Sequence, residues 1–266
     1  MNVRGKRAIV TGASSGIGRA TALELASRGC HVVLAARREE LLSEVARLCA
    51  RHRVQTAVVA SDISKRSECE ELIRIALERL GGVDILVNNA GFGVFGPVET
   101  INGETYDAMT STNYLGTVNC TKAVLPHMLE RGSGSIVNVA SITGIMGFAG
   151  MAGYGATKYA IIGFSEALRD EVIDRGIRVS IVCPGTTVTG LMDDDDMKMI
   201  PRASVLIPAM QAETVGFAIR RAIERGSYRT ILPWQAAFYM KTKEIFPRTA
   251  HYLMRLTSRL LDRSRH

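Results

Sequence analysis

The sequence predicts an α/β fold: a single-domain, doubly wound parallel sheet of about seven strands flanked by helices. Two observations predict the layout. Apolar runs of strand length alternate with amphipathic stretches of helix length along most of the chain, which is the rhythm of parallel strands joined by crossover helices. Glycines stand where helical stretches should stop, at Gly29, Gly81-Gly82 and Gly176. A third observation bears on domain count: 266 residues suit one large domain, and no linker divides them.

The elements follow in order. Residues 7–10 form the first strand, 17–28 a helix, 32–35 the second strand and 39–49 the second helix. A third strand spans 56–60, a helix 67–80 and a fourth strand 85–87. Residues 103–131 have the pattern of one long helix, kinked or shortened near Pro126. Strand 135–139, helix 154–174, strand 178–182, helix 213–225 and strand 229–232 complete the alternation. We therefore expect a catalytic domain over 1–232, a substrate lid at about 186–212, and an extension over 233–266. In such a sheet, ligands bind at the carboxyl ends of the strands.

Composition narrows the function classes. Apolar residues make up 47% of the chain, enough for a sizeable core. The five cysteines, Cys30, Cys49, Cys69, Cys120 and Cys183, are scattered and show no C-x-x-C spacing, which argues against a disulfide framework or a zinc site. The start, MNVRGKRAIV, lacks the apolar run of a secretory signal, and no stretch has the length of a spanning helix, so a cytoplasmic protein is expected. The net charge is +7, but residues 241–266 carry two Lys and five Arg against Glu244 and Asp262. The excess belongs to a tail, so no nucleic-acid partner is implied.

Directly after the first strand comes Thr11-Gly12-Ala13-Ser14-Ser15-Gly16-Ile17-Gly18. Glycines there allow a tight turn, and the helix that follows directs its free N–H groups at a pyrophosphate. The spacing Gly12-x3-Gly16-x-Gly18 resembles that of the classical short-chain dehydrogenase/reductase family, a set of Rossmann-fold enzymes. Asp62, Asn88-Asn89-Ala90-Gly91, Asn113, Ser141, Tyr154-x3-Lys158 and Pro184-Gly185 extend the resemblance over about residues 5–233.

The resemblance implies a nicotinamide dinucleotide held by Gly12, Ser14, Ser15, Gly16, Ile17 and Gly18. Asp62 with Ile63 would contact the adenine, and Asn89, Ala90 and Gly91 would line the cofactor. Pro184, Gly185, Thr187 and Thr189 would grip the nicotinamide amide, with Thr187 standing where the family more often has Val or Ile. Asn88 is expected to brace the sheet edge. Ala36 occupies the family's Asp position, and Arg37 follows it. Without a carboxylate to repel a ribose 2′-phosphate, Arg37 can bind one with charge-assisted hydrogen bonds, and Ser14 is a second contact. The cofactor expected is NADP(H).

Tyr154 and Lys158 are four apart in a helical stretch and so share a face. Ser141 stands just past a strand end. Hydride transfer to a carbonyl leaves an alkoxide that needs a proton, and a phenol can supply it. Its ordinary pKa of about 10 is too high for an efficient base near neutrality. A neighbouring ammonium would favour the phenolate. Tyr154 is thus the expected acid/base, Lys158 its electrostatic partner and ribose contact, and Ser141 the group that orients the carbonyl. By resemblance, Asn113 organises a proton-relay water. The alternative is a regulatory or scaffold protein that binds NADP(H) without turnover. The intact Ser141, Tyr154 and Lys158 favour an oxidoreductase acting on a ketone or secondary alcohol.

The lid holds Leu191, Met192, Met197, Met199, Ile200, Val205, Leu206, Ile207 and Met210, interrupted by the acids 193–196. Residues 145–151, Phe92, Val94 and Phe95 are apolar as well, so an apolar carbonyl or alcohol (lipid, acyl or steroid-like) is expected. The acidic run is expected to be a solvated loop tip rather than a calcium site. In the tail, Arg255, Arg259 and Arg263 recur every four residues opposite Leu253, Leu256 and Leu260. That pattern suits a basic amphipathic helix lying on an anionic membrane or packed on the protein. The family resemblance implies a homodimer or homotetramer paired through 103–131 and 154–174.

Overall fold

The computed structural model describes residues 1–188 and 208–246, together with 248, 249 and 252. Its strands and helices alternate: β1 (Arg7–Thr11), α1 (Gly16–Ser27), β2 (His31–Ala36), α2 (Glu39–Ala50), β3 (Thr56–Ala60), α3 (Arg66–Leu80) and β4 (Ile85–Asn88). Then come α4 (Gly103–Met109), α5 (Gly116–Glu130), β5 (Gly134–Val139), α6 (Ala152–Val172) and β6 (Ile177–Pro184). The series ends with β7 (Thr187–Val188), β8 (Met210–Gln211), α7 (Ala212–Arg225), β9 (Arg229–Leu232) and α8 (Trp234–Ile245).

Seven strands form one sheet in the order β3-β2-β1-β4-β5-β6-β9. Every pair in it is parallel. The order reverses between β1 and β4, and the crevice expected for a ligand opens there. Because crossover helices cover both faces, the strands read as continuous apolar runs. Alternation along β1 and β2 sends Ala8, Val10, Val32 and Leu34 to the side of α1, α2 and α7, where Leu25, Leu42 and Ile219 meet them. Ile9, Val33, Leu86 and Ile136 face the other way, onto Leu72, Val124 and Leu168. Helix α7 lies so close to α1 that a Cβ on Gly216 would come 2.9 Å from the Ala20 carbonyl carbon.

The long helix expected over 103–131 is divided. A π-helical turn, Thr110–Leu115, separates α4 from α5, whereas Pro126 lies inside α5 without ending it. A π turn inserts one extra residue into a helix that is otherwise continuous, so the hydrophobic pattern barely registers it. β7 and β8 pair over only two residues each, too short for any sequence period, and join the two ends of the segment 189–209. The expected lid residues 190–207, Thr189 and the acidic run lie outside the described residues. Met210 is buried in the α1-side core instead of facing a substrate, because β8 draws it under α7. Most of the expected basic tail helix also lies outside the described residues. Helix α8, not expected from the sequence, follows β9 directly. No helix among the described residues is long and apolar enough to cross a membrane.

At the amino edge of the sheet, Asp84 is only 1% exposed. Its carboxylate accepts from Arg7 Nε at 2.7 Å, Arg7 Nη2 at 2.9 Å and Arg131 Nη2 at 2.9 Å. Burial alone would raise the pKa of this group, but the hydrogen bonds from Arg7 and Arg131 outweigh that and hold it at about 2. The folded-state value is depressed, so the stabilisation is complete above the ordinary carboxylate pKa and is lost as pH falls through about 2. Asp84→Asn should therefore lower unfolding stability in urea at neutral pH by about 3 kcal/mol, since it leaves two arginines facing a neutral amide. The gap from the unaltered protein should narrow as pH drops from about 4 toward 2.

Candidate active site

The carboxyl ends of β1 and β4 are locked by one hydroxyl. Thr11 Oγ1 accepts the backbone N–H of Asn89 at 3.0 Å and of Ala90 at 3.1 Å. The Asn89 amide returns a bond to the Thr11 carbonyl at 2.9 Å. A Cβ on Gly12, whose φ is +67°, would come 2.8 Å from Ala90 Cα, and one on Gly18 would collide with the Gly12 carbonyl. Glycines are thus required for the turn to fold back beside the 89–91 segment.

A cleft of about 590 Å³ opens above these strand ends. Of the residues singled out in the sequence, Gly12, Ser14, Ser15, Gly16, Ile17, Arg37, Asp62, Ile63, Asn89, Ala90, Gly91, Ser141, Tyr154, Lys158, Pro184, Gly185 and Thr187 all line it. Gly18 and Asn113 do not. Gly18 sits behind the turn, and Asn113 is buried beneath the cleft floor. Of the expected apolar wall, Phe92, Phe95, Phe148 and Met151 face the cleft. Ile145 and Met146 pack away from it toward α8 and β9, and Val94 is part-exposed.

One end of the cleft suits an anion. Helix α1 begins at Gly16, and Ser15 at its N-cap offers no side-chain bond to the first turn, which leaves N–H groups for a ligand. The Arg38 guanidinium donates to the Ser14 hydroxyl at 3.2 Å and the Ser15 hydroxyl at 3.1 Å. Arg38 was not among the residues expected at the site. It follows Arg37, and strand alternation alone could not say which of the two would reach back over the turn. Burial would raise the Asp62 carboxyl, but hydrogen bonds from the Ser64 hydroxyl and N–H, together with the smaller charge effects of nearby Arg37 and Lys65, hold it below its ordinary range. Two arginines, two hydroxyls and a helix amino end fit a phosphate-bearing dinucleotide.

At the other end stand Ser141, Tyr154 and Lys158. Tyr154 lies in the first turn of α6, and Lys158 one turn on, 4% exposed. The Lys158 ammonium lies 5.6 Å from the Tyr154 ring centroid and donates to the Val139 carbonyl at 3.0 Å. Phe95 meets Tyr154 edge-on at 5.7 Å, which fixes the phenol's plane. Ser141 caps a short 3₁₀ turn, Ile142–Gly144, and its Oγ accepts from the Thr143 N–H at 3.1 Å. Burial pushes the Tyr154 phenol up to about 12, with the Ser141 hydroxyl pulling the other way. Burial lowers Lys158 to about 8. Lys158 is therefore the group whose charge changes closer to neutrality.

Asn113 lies in the π turn, fully buried. Its Oδ1 accepts the Phe92 N–H at 2.9 Å, and its Nδ2 donates to the Phe92 carbonyl at 2.8 Å and to Thr157 Oγ1 at 3.0 Å. It joins the loop after β4 to the helix that bears Tyr154 and Lys158. Asn88 also braces the structure: its Nδ2 bonds Asn138 on β5 and Thr121 on α5. Asn113→Ala should strand the two part-buried backbone groups of Phe92 and lower unfolding stability by roughly 2 kcal/mol, read from the urea midpoint.

Comparison with known proteins agrees with this geometry. The family model described as short chain dehydrogenase matches residues 6–199. A 3-oxoacyl-(acyl-carrier-protein) reductase of Staphylococcus epidermidis is 37% identical over 197 residues, 73% of this chain and 80% of the relative. A short-chain dehydrogenase from Streptomyces avermitilis superposes with a TM-score of 0.80 at 32% identity, covering 96% of this chain and 98% of that one. A short chain dehydrogenase/reductase from Burkholderia phymatum in complex with NAD gives 0.84 at 25% identity, over 92% and 94% of the two chains. The family match runs from the first strand through the glycine turn, the cleft and the helix of Tyr154, and on that ground the chain belongs to the short chain dehydrogenases, oxidoreductases that use a nicotinamide cofactor.

Proposed function

We propose that the protein transfers hydride between NADP(H) and a ketone or secondary alcohol with an apolar body. The observation that carries this reading is the convergence of Ser141, Tyr154 and Lys158 on the cleft whose far end holds Arg37 and Arg38. When bound, a reduced nicotinamide would supply the hydride for the carbonyl carbon. Ser141 donates a hydrogen bond to the carbonyl oxygen and holds it beside Tyr154. The phenolic proton then passes to the oxygen as negative charge develops there, and alcohol oxidation runs the same transfer backward. A neutral Tyr154 suits the reductive direction, since the proton to be given is already in place. Lys158 holds the cofactor ribose, and its positive charge offsets phenolate charge after the transfer. Asn113 keeps Thr157 and the Phe92 loop in register with both groups, and the water-mediated proton relay that the resemblance implies for it is part of the proposal.

The choice of NADP(H) over NAD(H) rests on Ala36, which leaves the end of β2 without an acid, and on Arg37 and Arg38 beside it. The apolar substrate rests on Phe92, Phe95, Phe148 and Met151 in the cleft wall. The reductase relative acts on an acyl group, which agrees with that wall. The resemblance also implies a homodimer or homotetramer, and we carry that forward as part of the proposal. A cytoplasmic location likewise remains part of it.

Tyr154→Phe should lower turnover of apolar ketones with NADPH by roughly 10²–10⁴-fold while NADPH affinity changes little. An unchanged rate would refute the assigned role. Arg37→Ala and Arg38→Ala should each weaken NADPH binding by roughly tenfold to a hundredfold, the cost of about 1.5–3 kcal/mol for a charged hydrogen bond. NADH binding should hardly move. Equal losses for both cofactors would remove the 2′-phosphate assignment.

A further inference from the structure

Helix α8 (Trp234–Ile245) presents apolar side chains to solvent. Trp234, Phe238 and Ile245 are 72%, 69% and 68% exposed. Their spacing of four and seven residues puts them on one stripe, with exposed Lys241 between Phe238 and Ile245. Phe246, 60% exposed, extends the patch past the helix end. The opposite side of the helix faces the protein. Ala236 is buried with Ile142, Met146, Phe148 and Met151, and Lys243 Nζ donates to the Ile145 carbonyl at 3.1 Å. A surface helix of a soluble domain turns its apolar stripe to the core and its polar stripe to water. In α8 the small Ala236 and the long Lys243 face inward, while Trp234 and Phe238 face outward. An exposed apolar cluster of this kind marks a contact surface.

We propose that α8 is a membrane-docking helix, and that the surface it fits is an anionic lipid bilayer. Two features choose lipid over a second copy of the chain. The stripe is mixed with basic charge at Lys241, followed by exposed Arg248, within a stretch from 241 to 266 that holds seven basic residues against two acidic ones. A two-fold contact would set this patch against its own copy and bring like charges together, whereas an anionic headgroup layer attracts them. A tryptophan and a phenylalanine with lysine beside them also match the chemistry of the headgroup–acyl boundary, where aromatic rings insert and amines stay wet. Docking would rest the helix that backs the 142–151 segment on the bilayer. Phe148 and Met151 of that segment wall the catalytic cleft, so an apolar substrate dissolved in lipid would enter beside them. The docking surface itself stands independently of the substrate reading.

Trp234 is the only tryptophan in the chain, so its emission reports on this surface alone. The full-length protein, at low salt, is mixed with vesicles of phosphatidylglycerol and phosphatidylcholine, and with vesicles of phosphatidylcholine only. The expected result is co-sedimentation and a blue shift of Trp234 emission with the anionic vesicles, both weakened by added salt and by omission of phosphatidylglycerol. The double substitution Phe238→Ser with Ile245→Ser, at exposed positions outside the cleft, should weaken vesicle binding by about tenfold or more. Its thermal unfolding by circular dichroism should match that of the unaltered chain, which separates loss of docking from loss of fold. Two results overturn the proposal: no binding of the unaltered chain to anionic vesicles, or binding that the double substitution leaves unchanged. A dimer that the same substitution dissolves, without vesicle binding, is a case of the first and assigns the face to a second copy.

Discussion

The Thr11 hydroxyl holds the molecule's two halves in register at the point where the strand order reverses. By accepting two backbone N–H groups from Asn89 and Ala90, it fixes how far the β4 end stands from the β1 turn. That spacing leaves room for glycine and nothing larger at position 12. The turn then aims the amino end of α1 into the crevice. The chain leaving Ala90 reaches Phe92, where Asn113 captures both its backbone groups and ties them to α6. One short polar side chain at a strand end thus sets the floor from which the anion site and the proton-handling site are both measured.

Burial shapes the chemistry at the far end. The sequence suggests that a nearby ammonium should draw the phenol's pKa down. In the folded chain, desolvation is the larger effect on both groups: it raises Tyr154 to about 12 and lowers Lys158 to about 8. The Lys158 ammonium turns instead to the Val139 carbonyl. Burial therefore favours a neutral phenol at Tyr154 beside an amine at Lys158 whose pKa it lowers to about 8. Positive charge brought in by an oxidised cofactor would act on this pair in a low-dielectric pocket, where such an effect is strongest.

The cleft and the outer surface share a wall. The 142–151 segment has one side in the cleft through Phe148 and Met151 and the other against α8 through Met146 and Ile145. Apolar composition in this segment serves two purposes, and only part of it is available to a substrate. A similar division applies to Met210, which the sequence groups with the lid and β8 commits to the core.

What the sequence by itself determined is the sheet, the order of its strands' apolar runs, and which residues of the glycine turn and of the Ser141, Tyr154 and Lys158 set come to line the cleft. Period-two and period-3.6 burial patterns are local, and the glycine turn and the Tyr154–Lys158 spacing are local too. The π turn at Thr110–Leu115 was not legible, because one inserted residue hardly disturbs a helical pattern over so short a span. Nor was Thr11, an ordinary β-branched residue in a strand until its partner 78 positions away is beside it. That Arg37 lines the cleft was legible from its place at the end of the second strand. The part of Arg38 was decided by the tertiary fold, since only the return of the glycine turn past β2 brings Ser14 and Ser15 within its reach. The same holds for α8, which the sequence did not predict: which of its sides meets the protein was settled by where Ala236 and Lys243 find partners.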